Sequence, residues 1–340
     1  MSDATEVEAM NAVRPAKRYD AVDDLGLITT YFNPLGYHSK RRNYEAFKDA
    51  IVGSGLQLLT VECAFGTAPF VLPRSTGLVQ VRARDLMWQK ERLLNLAIEY
   101  LPRHCTKVAW LDCDVLFENP GWAVETSKTL DHCCLVQPFA TAIRLPEGTC
   151  QYRSVGELWR GFAATYAESP QYVRDGTYAQ HGETGFAWAA RRDVVADCRL
   201  YDGCITGGAD HAMAHAMCGG CGSYCLERLL GEDTASRRHF VRWAQTFYDH
   251  VGGKVGFVSG AALHLWHGER SNRRYAERHK ILKDFAFDPE SDLRICAGGC
   301  WEWASRKPEL HQSVVEYFAG RQEDGSAAAP PTRELPASVA

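Results

Sequence analysis

The stretch KVAWLDCDVLF at residues 107–117 decides how the rest of the sequence is interpreted. It opens as an apolar run, as expected of a strand buried inside a sheet, and it carries Asp112 and Asp114 where that run stops. Aspartate is disfavoured in strands, so two of them at the end of a buried strand require an explanation. In open α/β sheets, ligands bind at the carboxyl ends of the strands. The stretch therefore predicts a buried strand that delivers two carboxylates to a ligand.

The two carboxylates have a spacing that suits a metal ion. Alternate residues of an extended chain point the same way, so Asp112 and Asp114 can face one ion. Hard oxygen ligands favour Mg²⁺ or Mn²⁺, and either ion can bridge the phosphates of a nucleotide. The alternative is a turn whose aspartates cap a helix at 119–128, because so short a motif often occurs by chance.

Strand-like and helix-like stretches alternate on both sides of this motif. Besides 107–117, strands are predicted at 25–32, 56–65 and 134–139, and helices at 40–52 and 83–101. This order predicts an α/β protein with a Rossmann-like, mainly parallel sheet flanked by helices. After residue 150 the pattern is looser, with helices predicted at 154–167, 209–217, 236–250, 271–284 and 308–319 and strands within 256–267.

The two ends of the chain differ in composition from the middle. Residues 1–23 show no sustained periodicity and residues 322–340 are rich in Ala, Pro, Ser and Gly, so both are predicted to be disordered tails. Between them, we expect one domain over 24–285 and a helical extension over 286–321.

The composition excludes several classes of protein. With 340 residues, 46% hydrophobic and 11% aromatic, the chain can build a full core and is not mostly disordered. No segment approaches the ~18 consecutive apolar residues of a membrane-spanning helix, and the polar start lacks a secretory signal. A formal net charge of −4 argues against broad affinity for nucleic acid.

Thirteen cysteines are many for a chain without an export signal, and their odd number argues against a disulfide framework. The thiols that come nearest to a zinc-site spacing are Cys204, Cys218, Cys221, Cys225, Cys296 and Cys300. A second pair at regular spacing is missing, so the sequence favours structural thiols over zinc ligands.

A second motif, Gly207-Gly208-Ala209-Asp210, opens the predicted helix at 209–217. Glycines let the backbone approach a ligand closely, and Asp210 would lie at the positive end of the helix. A carboxylate placed there can accept a proton from a hydroxyl group, as a general base does. The alternative is an ordinary helix cap after a glycine turn.

A third motif, His264-Leu-Trp-His267-Gly268, ends the late strand region. Residues three apart in a strand face opposite sides, so only one of the two histidines is expected to point into a site. The alternative is a histidine that belongs to the core.

A fourth feature is the arginine-rich segment at 270–278. Arg270, Arg274 and Arg278 recur at helical spacing on one face and could neutralise phosphates. Glu269 and Glu277 also permit a solvated face of salt bridges.

The order of these motifs resembles that of nucleotide-sugar glycosyltransferases with the GT-A fold, in particular the β-1,4-galactosyltransferase family. The helix segment WQKERLLN at 88–95 matches the family's helix before its metal-binding strand, with Leu93, Leu94 and Asn95 identical. Lys90 stands where the family has an arginine near the uracil nucleotide. The resemblance implies a nucleotide-sugar half over 24–140 and an acceptor half over 141–285.

The resemblance also implies roles for individual residues. The metal ligands are expected to be Asp112, Asp114 and His267, and the catalytic base Asp210, which matches the aspartate of the family's Gly-Gly-Glu-Asp segment. The residues expected to bind the donor are Lys90 and Asp112 and, from their positions near the first strand and in the arginine-rich segment, Asn33, Arg42 and Arg274. The acceptor-binding residues are expected to be Gly207, Gly208 and Trp188.

The expected function is that of a hexosyl- or pentosyltransferase that depends on Mn²⁺ or Mg²⁺. Its donor would be a nucleotide sugar, with a UDP-sugar favoured, and its acceptor a glycan, a small molecule or modified DNA. An inverting displacement is expected, in the cytoplasm or, for a phage-encoded enzyme, in the host cytoplasm. The alternatives are a glycosyltransferase for a hydroxylated base in phage-type DNA, a nucleotidyl- or phosphoryltransferase using the same metal site, and a sugar- or zinc-binding module without catalysis.

Overall fold

A computed structural model describes residues 22–275 and 277–325. The predicted tails therefore lie outside the described residues, except for 22–23 and 322–325. In the part of the chain that the structure describes, no helix combines the length and the apolar character needed to cross a bilayer.

Seven strands form the main sheet. Numbered along the chain, they are β1 (Leu25–Tyr31), β2 (Leu58–Phe65), β3 (Leu78–Ala83), β4 (Lys107–Leu111), β6 (Leu135–Gln137), β9 (Ala187–Arg191) and β10 (Val255–Phe257). Their order is β10-β6-β9-β4-β1-β2-β3. Neighbours are parallel except for β9, which runs antiparallel to both β4 and β6. The predicted mainly parallel sheet is confirmed.

Smaller sheets lie beside the main one. The second sheet has the strands β5 (Val115–Phe117), β7 (Thr141–Arg144), β8 (Glu157–Arg160) and β11 (Ala261–His264), in the order β5-β11-β7-β8. A hairpin joins β12 (Leu293–Ile295) to β13 (Trp301–Trp303).

Helices cover both faces of the main sheet. They are α1 (His38–Gly53), α2 (Lys90–Tyr100), α3 (Trp122–Leu130), α4 (Phe162–Glu168), α5 (Gln171–Asp175), α6 (Tyr178–His181), α7 (Arg192–Cys198), α8 (Ala209–Met217), α9 (Tyr224–Leu230), α10 (Ala235–Val251), α11 (Arg278–Asp284), α12 (Pro289–Asp292) and α13 (Pro308–Ala319). A short 3₁₀ helix, Arg270–Arg273, precedes α11.

The main sheet has an apolar core on each face, which explains the continuous apolar run of β4. Alternate residues of a strand point to opposite faces, so Ile28 and Trp110 join one core, and Leu27 and Leu111 join the other. Residues of α2, α8, α10 and α13 complete the first core, and residues of α1 and α3 complete the second. A strand that is covered on both sides needs apolar residues throughout.

Three predicted elements differ from the structure. The predicted strand at 107–117 divides at the two aspartates into β4 and β5, which belong to different sheets. The helix predicted at 83–101 begins only at Lys90, because the chain up to Ala83 forms β3. The helix predicted at 154–167 is β8 followed by α4.

The extension at 286–321, predicted to be helical, also contains the β12–β13 hairpin. The hairpin is fastened to the start of α2 by the Gln89 side chain, which is 0% exposed. Its amide nitrogen donates to the Trp301 carbonyl at 2.8 Å, and its amide oxygen accepts from the Trp301 backbone nitrogen at 2.9 Å. One side chain therefore satisfies both backbone groups of Trp301.

Residues 322–325 are structured, so the prediction of a disordered tail is wrong for this part. The carboxylate of Asp324 accepts from the backbone nitrogens of His38 and Ser39, at 2.8 and 2.7 Å, and so caps the start of α1. The Ser39 hydroxyl donates to the Glu323 carbonyl at 2.7 Å. These contacts hold the segment against the first helix.

We expect Gln89→Ala to lower the free energy of unfolding by about 1–3 kcal/mol, because the backbone N–H and C=O of Trp301 would both lose the Gln89 side chain as their partner. Urea unfolding followed by tryptophan fluorescence measures the change. Gln312→Ala is the matched control, since this exposed side chain bonds Glu316 on the same helix. Its effect should stay within about 0.5 kcal/mol. Equal losses in the two variants would contradict the role given to Gln89.

Candidate active site

The site lies where the chain leaves the main sheet and enters the second one. The crossing consists of Asp112, Cys113 and Asp114, between the end of β4 and the start of β5. The Asp112 nitrogen donates to the Phe186 carbonyl at 2.7 Å, and the Leu265 nitrogen donates to the Asp114 carbonyl at 2.8 Å. The crossing is therefore fixed at both ends, on the β9 side and on the β11 side.

One aspartate of this crossing and both histidines of the third motif form a cluster. Asp114 Oδ2 lies 3.1 Å from His267 Nε2, Asp114 Oδ1 lies 3.9 Å from His264 Nε2, and the two Nε2 atoms are 3.3 Å apart. The expectation that only one histidine faces the site is wrong. Strand β11 ends at His264, so the chain turns out of the extended conformation before His267 and brings both rings to one side.

The chemistry of this cluster suits a divalent cation. Asp114 Oδ1 is buried and has no hydrogen-bond partner among the described residues. Burial alone would raise the pKa of Asp114, but His264 and His267 hold it well below its ordinary value. Arg273 donates to His267 Nε2 at 2.8 Å, so that nitrogen presents a lone pair. A carboxylate and two imidazoles are a donor set that metal ions accept.

The other aspartate, Asp112, has a different partner. It forms an ion pair with the ammonium of Lys90, and the two side chains are largely buried. Burial disfavours the charge of Lys90, yet the nearby carboxylates of Asp112, Asp210 and Glu91 raise its pKa above the ordinary value. Asp112 is thus beside the histidine cluster rather than within it.

Asp210 lies in the first turn of α8 and faces the same cavity. Its Oδ1 accepts from the His211 backbone nitrogen at 2.8 Å, and its side chain remains partly accessible. The two preceding glycines have φ values of +88° and +96°, which side-chain-bearing residues rarely adopt. A Cβ at Gly208 would lie 2.8 Å from Cε1 of His279, so glycine is required there.

A cavity of about 400 Å³ connects these groups. Its cationic lining residues are Lys40, Lys90, Arg144, Arg228, Arg270, Arg273, Arg278 and Arg321. Phe32 and Trp88 form an aromatic wall, with ring centroids 5.2 Å apart. The cavity is therefore suited to an anionic ligand that also carries a flat ring.

A buried network shapes the second wall of the cavity. Arg144 forms an ion pair with Glu183, whose other oxygen accepts from the Tyr178 hydroxyl at 3.0 Å. Phe186 stacks on His264 with ring centroids 4.8 Å apart, and it holds φ at +76°. A left-handed backbone at an aromatic residue costs energy that the surrounding contacts must offset. The network thus fixes the orientation of His264.

The segment at 321–325 adds a part of the site that the sequence did not reveal. Glu323 Oε2 lies 3.6 Å from His267 Nδ1 and 3.7 Å from the Lys40 ammonium. Arg321 donates to Glu323 Oε1 at 2.5 Å. A carboxylate behind a metal-binding histidine orients the ring and raises its basicity. The segment adjoins the Ala-, Pro- and Ser-rich residues 326–340, so composition alone assigns residues 322–325 to a disordered tail.

Two residues predicted to bind the donor near the first strand lie elsewhere. Asn33 closes a turn, since its side chain donates to the Tyr37 carbonyl at 2.8 Å and accepts from the Tyr37 nitrogen at 2.9 Å. Arg42 is exposed on α1 and does not line the cavity. Lys40, two residues earlier, lines it instead.

The structure places two further predicted site residues away from the cavity. Arg274 follows the 3₁₀ helix and pairs with Glu277 at 2.6 Å on the surface. Arg273 at the end of the 3₁₀ helix and Arg278 at the start of α11 line the cavity instead. Trp188, predicted to bind the acceptor, is 1% exposed in the core. Its ring nitrogen donates to the Thr184 carbonyl at 2.8 Å.

Comparisons with known proteins give structural matches only. No protein-family model and no curated protein matches the chain, whereas 32 chains of solved structures do. One is a mutant of Drosophila β1,4-galactosyltransferase 7 in complex with manganese, UDP-Gal and xylobiose (11% identity, TM-score 0.36, covering 74% of each chain). Another is the catalytic domain of the same Drosophila enzyme with xylobiose (11% identity, TM-score 0.37, covering 80% of this chain and 85% of that one).

These similarities are to the family that the sequence motifs resemble. They concern the course of the backbone, so the role of each side chain is argued from its own contacts.

Glu91 offers a pH-dependent test of the cavity's electrostatics. Burial, together with the charges of Asp210 and Asp112, raises its pKa to about 8 despite the adjacent Lys90. The native state therefore holds the Glu91 proton more tightly than the unfolded state does. Its contribution to stability is fully present below the unfolded pKa and is lost as the pH rises through about 8.

We expect Glu91→Gln to flatten this dependence between about pH 5 and about pH 9, by at most about 1.4 kcal/mol per pH unit. Urea unfolding at a series of pH values measures it. Glu99→Gln, an exposed change on the same helix, serves as the control and should leave the slope as in the wild type. Parallel curves for wild type and Glu91→Gln would refute the raised pKa.

Proposed function

We propose that this protein is a metal-dependent glycosyltransferase that moves a sugar from a nucleotide-sugar donor to an acceptor hydroxyl. One observation carries the proposal. A single cavity combines the Asp114–His264–His267 cluster, a cationic wall and a carboxylate, Asp210, at the start of a helix. These are the groups needed to hold a nucleoside diphosphate and to deprotonate a hydroxyl.

Asp114, His264 and His267 would hold the metal ion, with Asp112 as a second carboxylate at the same crossing. Two imidazole nitrogens in the donor set favour Mn²⁺ over Mg²⁺, which prefers oxygen ligands. The bound ion would stabilise the negative charge that develops on the departing nucleoside diphosphate.

The chain's own cations would position the donor. Lys40 and Arg273 lie near the cluster, Arg278 lines the same cavity, and all three suit the diphosphate. Arg273 would leave His267 for the phosphates once that lone pair is engaged. Trp88 and Phe32 suit a flat base such as uracil, and Trp88 Nε1 is a buried donor without a partner among the described residues. A UDP-sugar carries a diphosphate that suits the cations and a uracil ring that suits the two aromatic side chains.

Asp210 would act as the general base. Its carboxylate faces the cavity from the start of α8. The charges of Asp210 and Asp112 both act on the ammonium of Lys90 and raise its pKa. Asp210 would take the proton of the acceptor hydroxyl while that oxygen attacks the anomeric carbon. A single displacement of this kind inverts the configuration at that carbon.

We favour a glycan or a small molecule as the acceptor over modified DNA. Much of the basic surface is already paired, as with Arg41 and Glu45, Arg238 and Asp233, and Arg270 and Glu157. A duplex needs unpaired cations along its backbone.

The thirteen cysteines are all free thiols, which suits the reducing cytoplasm that we propose as the location of the protein.

The first prediction concerns the metal-binding residues. With a panel of UDP-hexoses and UDP-pentoses and Mn²⁺, the wild type should bind one donor and slowly release UDP from it. Asp114→Ala should abolish the Mn²⁺-dependent part of donor binding in calorimetry, whereas Asp49→Ala, an exposed carboxylate on α1, should not change it. Unchanged binding in Asp114→Ala would refute the assignment. Release of UMP in place of UDP would instead indicate nucleotidyl transfer.

The second prediction concerns Asp210. In Asp210→Asn the side-chain amide oxygen could still accept the hydrogen bond from the His211 nitrogen, so the substitution should preserve the helix start. An amide cannot accept a proton as a carboxylate does, so turnover with the acceptor should fall by about 10²–10⁴-fold. Donor affinity should stay nearly unchanged. A variant that transfers sugar at a near wild-type rate would show that Asp210 is only a helix cap.

A further inference from the structure

We infer that the protein holds a second metal ion, Zn²⁺, in a buried site formed by His181, His211, His215 and Cys225. The four side chains come from α6, α8 and the first turn of α9. One ligand atom from each lies within 4.8 Å of all the others. The site is separate from the Asp114 cluster and does not depend on the proposed function.

The distances between the ligand atoms approach those of a tetrahedral zinc shell. Zinc bonds of about 2.0–2.1 Å to nitrogen and about 2.3 Å to sulfur place two nitrogens about 3.3 Å apart and nitrogen and sulfur about 3.6 Å apart. His211 Nε2 and His215 Nε2 are 3.2 Å apart, and Cys225 Sγ lies 3.5 Å from His181 Nε2. The remaining separations, up to 4.8 Å, close with small side-chain movements.

The surroundings orient the ligands. The Nδ1 atom of His181 lies 3.0 Å from the Gly182 carbonyl, so it carries the proton and leaves Nε2 with a lone pair directed at Cys225. His211 and His215 are four residues apart on α8 and therefore share one face of the helix. Ligand atoms from three helices thus direct their lone pairs at one point.

Burial makes this arrangement costly without an ion. His181 and His215 are 0% exposed and Cys225 is 7% exposed. The three imidazole rings pack against one another with centroids 4.9–5.1 Å apart. His215 Nδ1 has no hydrogen-bond partner among the described residues. Buried imidazole rings that face each other have lost their hydrogen bonds to water, and a cation bound between them would replace those hydrogen bonds.

The ligand types select the ion. Three imidazoles and a thiolate are the borderline-soft donors that zinc prefers, and the thiolate together with the lack of a carboxylate disfavours the harder ions Mg²⁺ and Mn²⁺. Four protein ligands leave no open position, as in structural zinc sites.

The inference revises part of the expectation from the sequence. Structural thiols remain the assignment for Cys218 and Cys221, which lie outside the cluster. Cys225 is different, because its partners are histidines from distant parts of the sequence. The spacing of cysteines alone could not reveal a site in which three of four ligands are imidazoles.

The proposed ion would fix the wall of the cavity that carries Asp210. His211 is the next residue on α8, and Tyr178, which holds Glu183, packs its ring on His181 and His211. Zinc would thereby fasten α6, α8 and α9 to one another beneath Asp210.

Cobalt substitution tests the site in the full chain. We expect metal-free, reduced protein titrated with Co²⁺ to develop the intense visible bands of a tetrahedral ion and a thiolate-to-cobalt charge-transfer band. Zn²⁺ should displace both. Cys225→Ser should remove the charge-transfer band, whereas Cys221→Ser, a partly exposed thiol four residues earlier, should keep it. Asp114→Ala should also keep it, because that change affects the other cluster.

A second measurement needs no variant and covers the case in which Cys225→Ser fails to fold. X-ray absorption at the zinc edge of the loaded wild type should show one sulfur at about 2.3 Å and three nitrogens at about 2.0–2.1 Å. Absence of the charge-transfer band in the wild type, its persistence in folded Cys225→Ser, or a zinc shell without sulfur would each overturn the inference.

Discussion

The chain passes from the seven-stranded sheet to the four-stranded sheet within three residues, and backbone hydrogen bonds to Phe186 and Leu265 hold both sides of that passage. Because β4 is covered by helices on both faces, its direction is fixed before Asp112 is reached. The aspartates therefore project from a rigid edge. The neighbouring β11 ends at the same place, which is why His264 and His267 arrive opposite Asp114.

The cavity balances its own charges in the state that the structure describes. Lys90 neutralises Asp112, Arg144 neutralises Glu183, and Arg321 neutralises Glu323. Arg273 lies against the lone pair of His267, where a cation is also suited to bind. An anionic ligand and its metal ion would therefore bind to side chains that are already in place, and would replace the present partners of those side chains. Such preorganisation lowers the cost of binding, because few side chains need to be ordered or desolvated anew.

Sequence patterns predicted the parts of the molecule whose signals are local. The β4 run, the helix at 209–217 and the glycine turn before Asp210 follow from periodicity and backbone sterics. The antiparallel strand β9, with the alanine-rich sequence AWAAR, has weak strand propensity and forms through its neighbours β4 and β6. The sequence did not predict which arginines and histidines face inward, because this depends on where the 3₁₀ helix and strand β11 end. A shift of one residue at either end changes which side chain faces inward.

Residues Arg321–Gly325 have a consequence for the order in which the protein is made. A nascent chain synthesised as far as α13 already contains every described strand of the three sheets and both histidines of the Asp114 cluster. It still lacks Glu323 behind His267 and Asp324 at the start of α1. Translation can thus complete the scaffold before the cavity is competent, and the segment at 321–325, which emerges after α13, closes the cavity by docking onto the first helix.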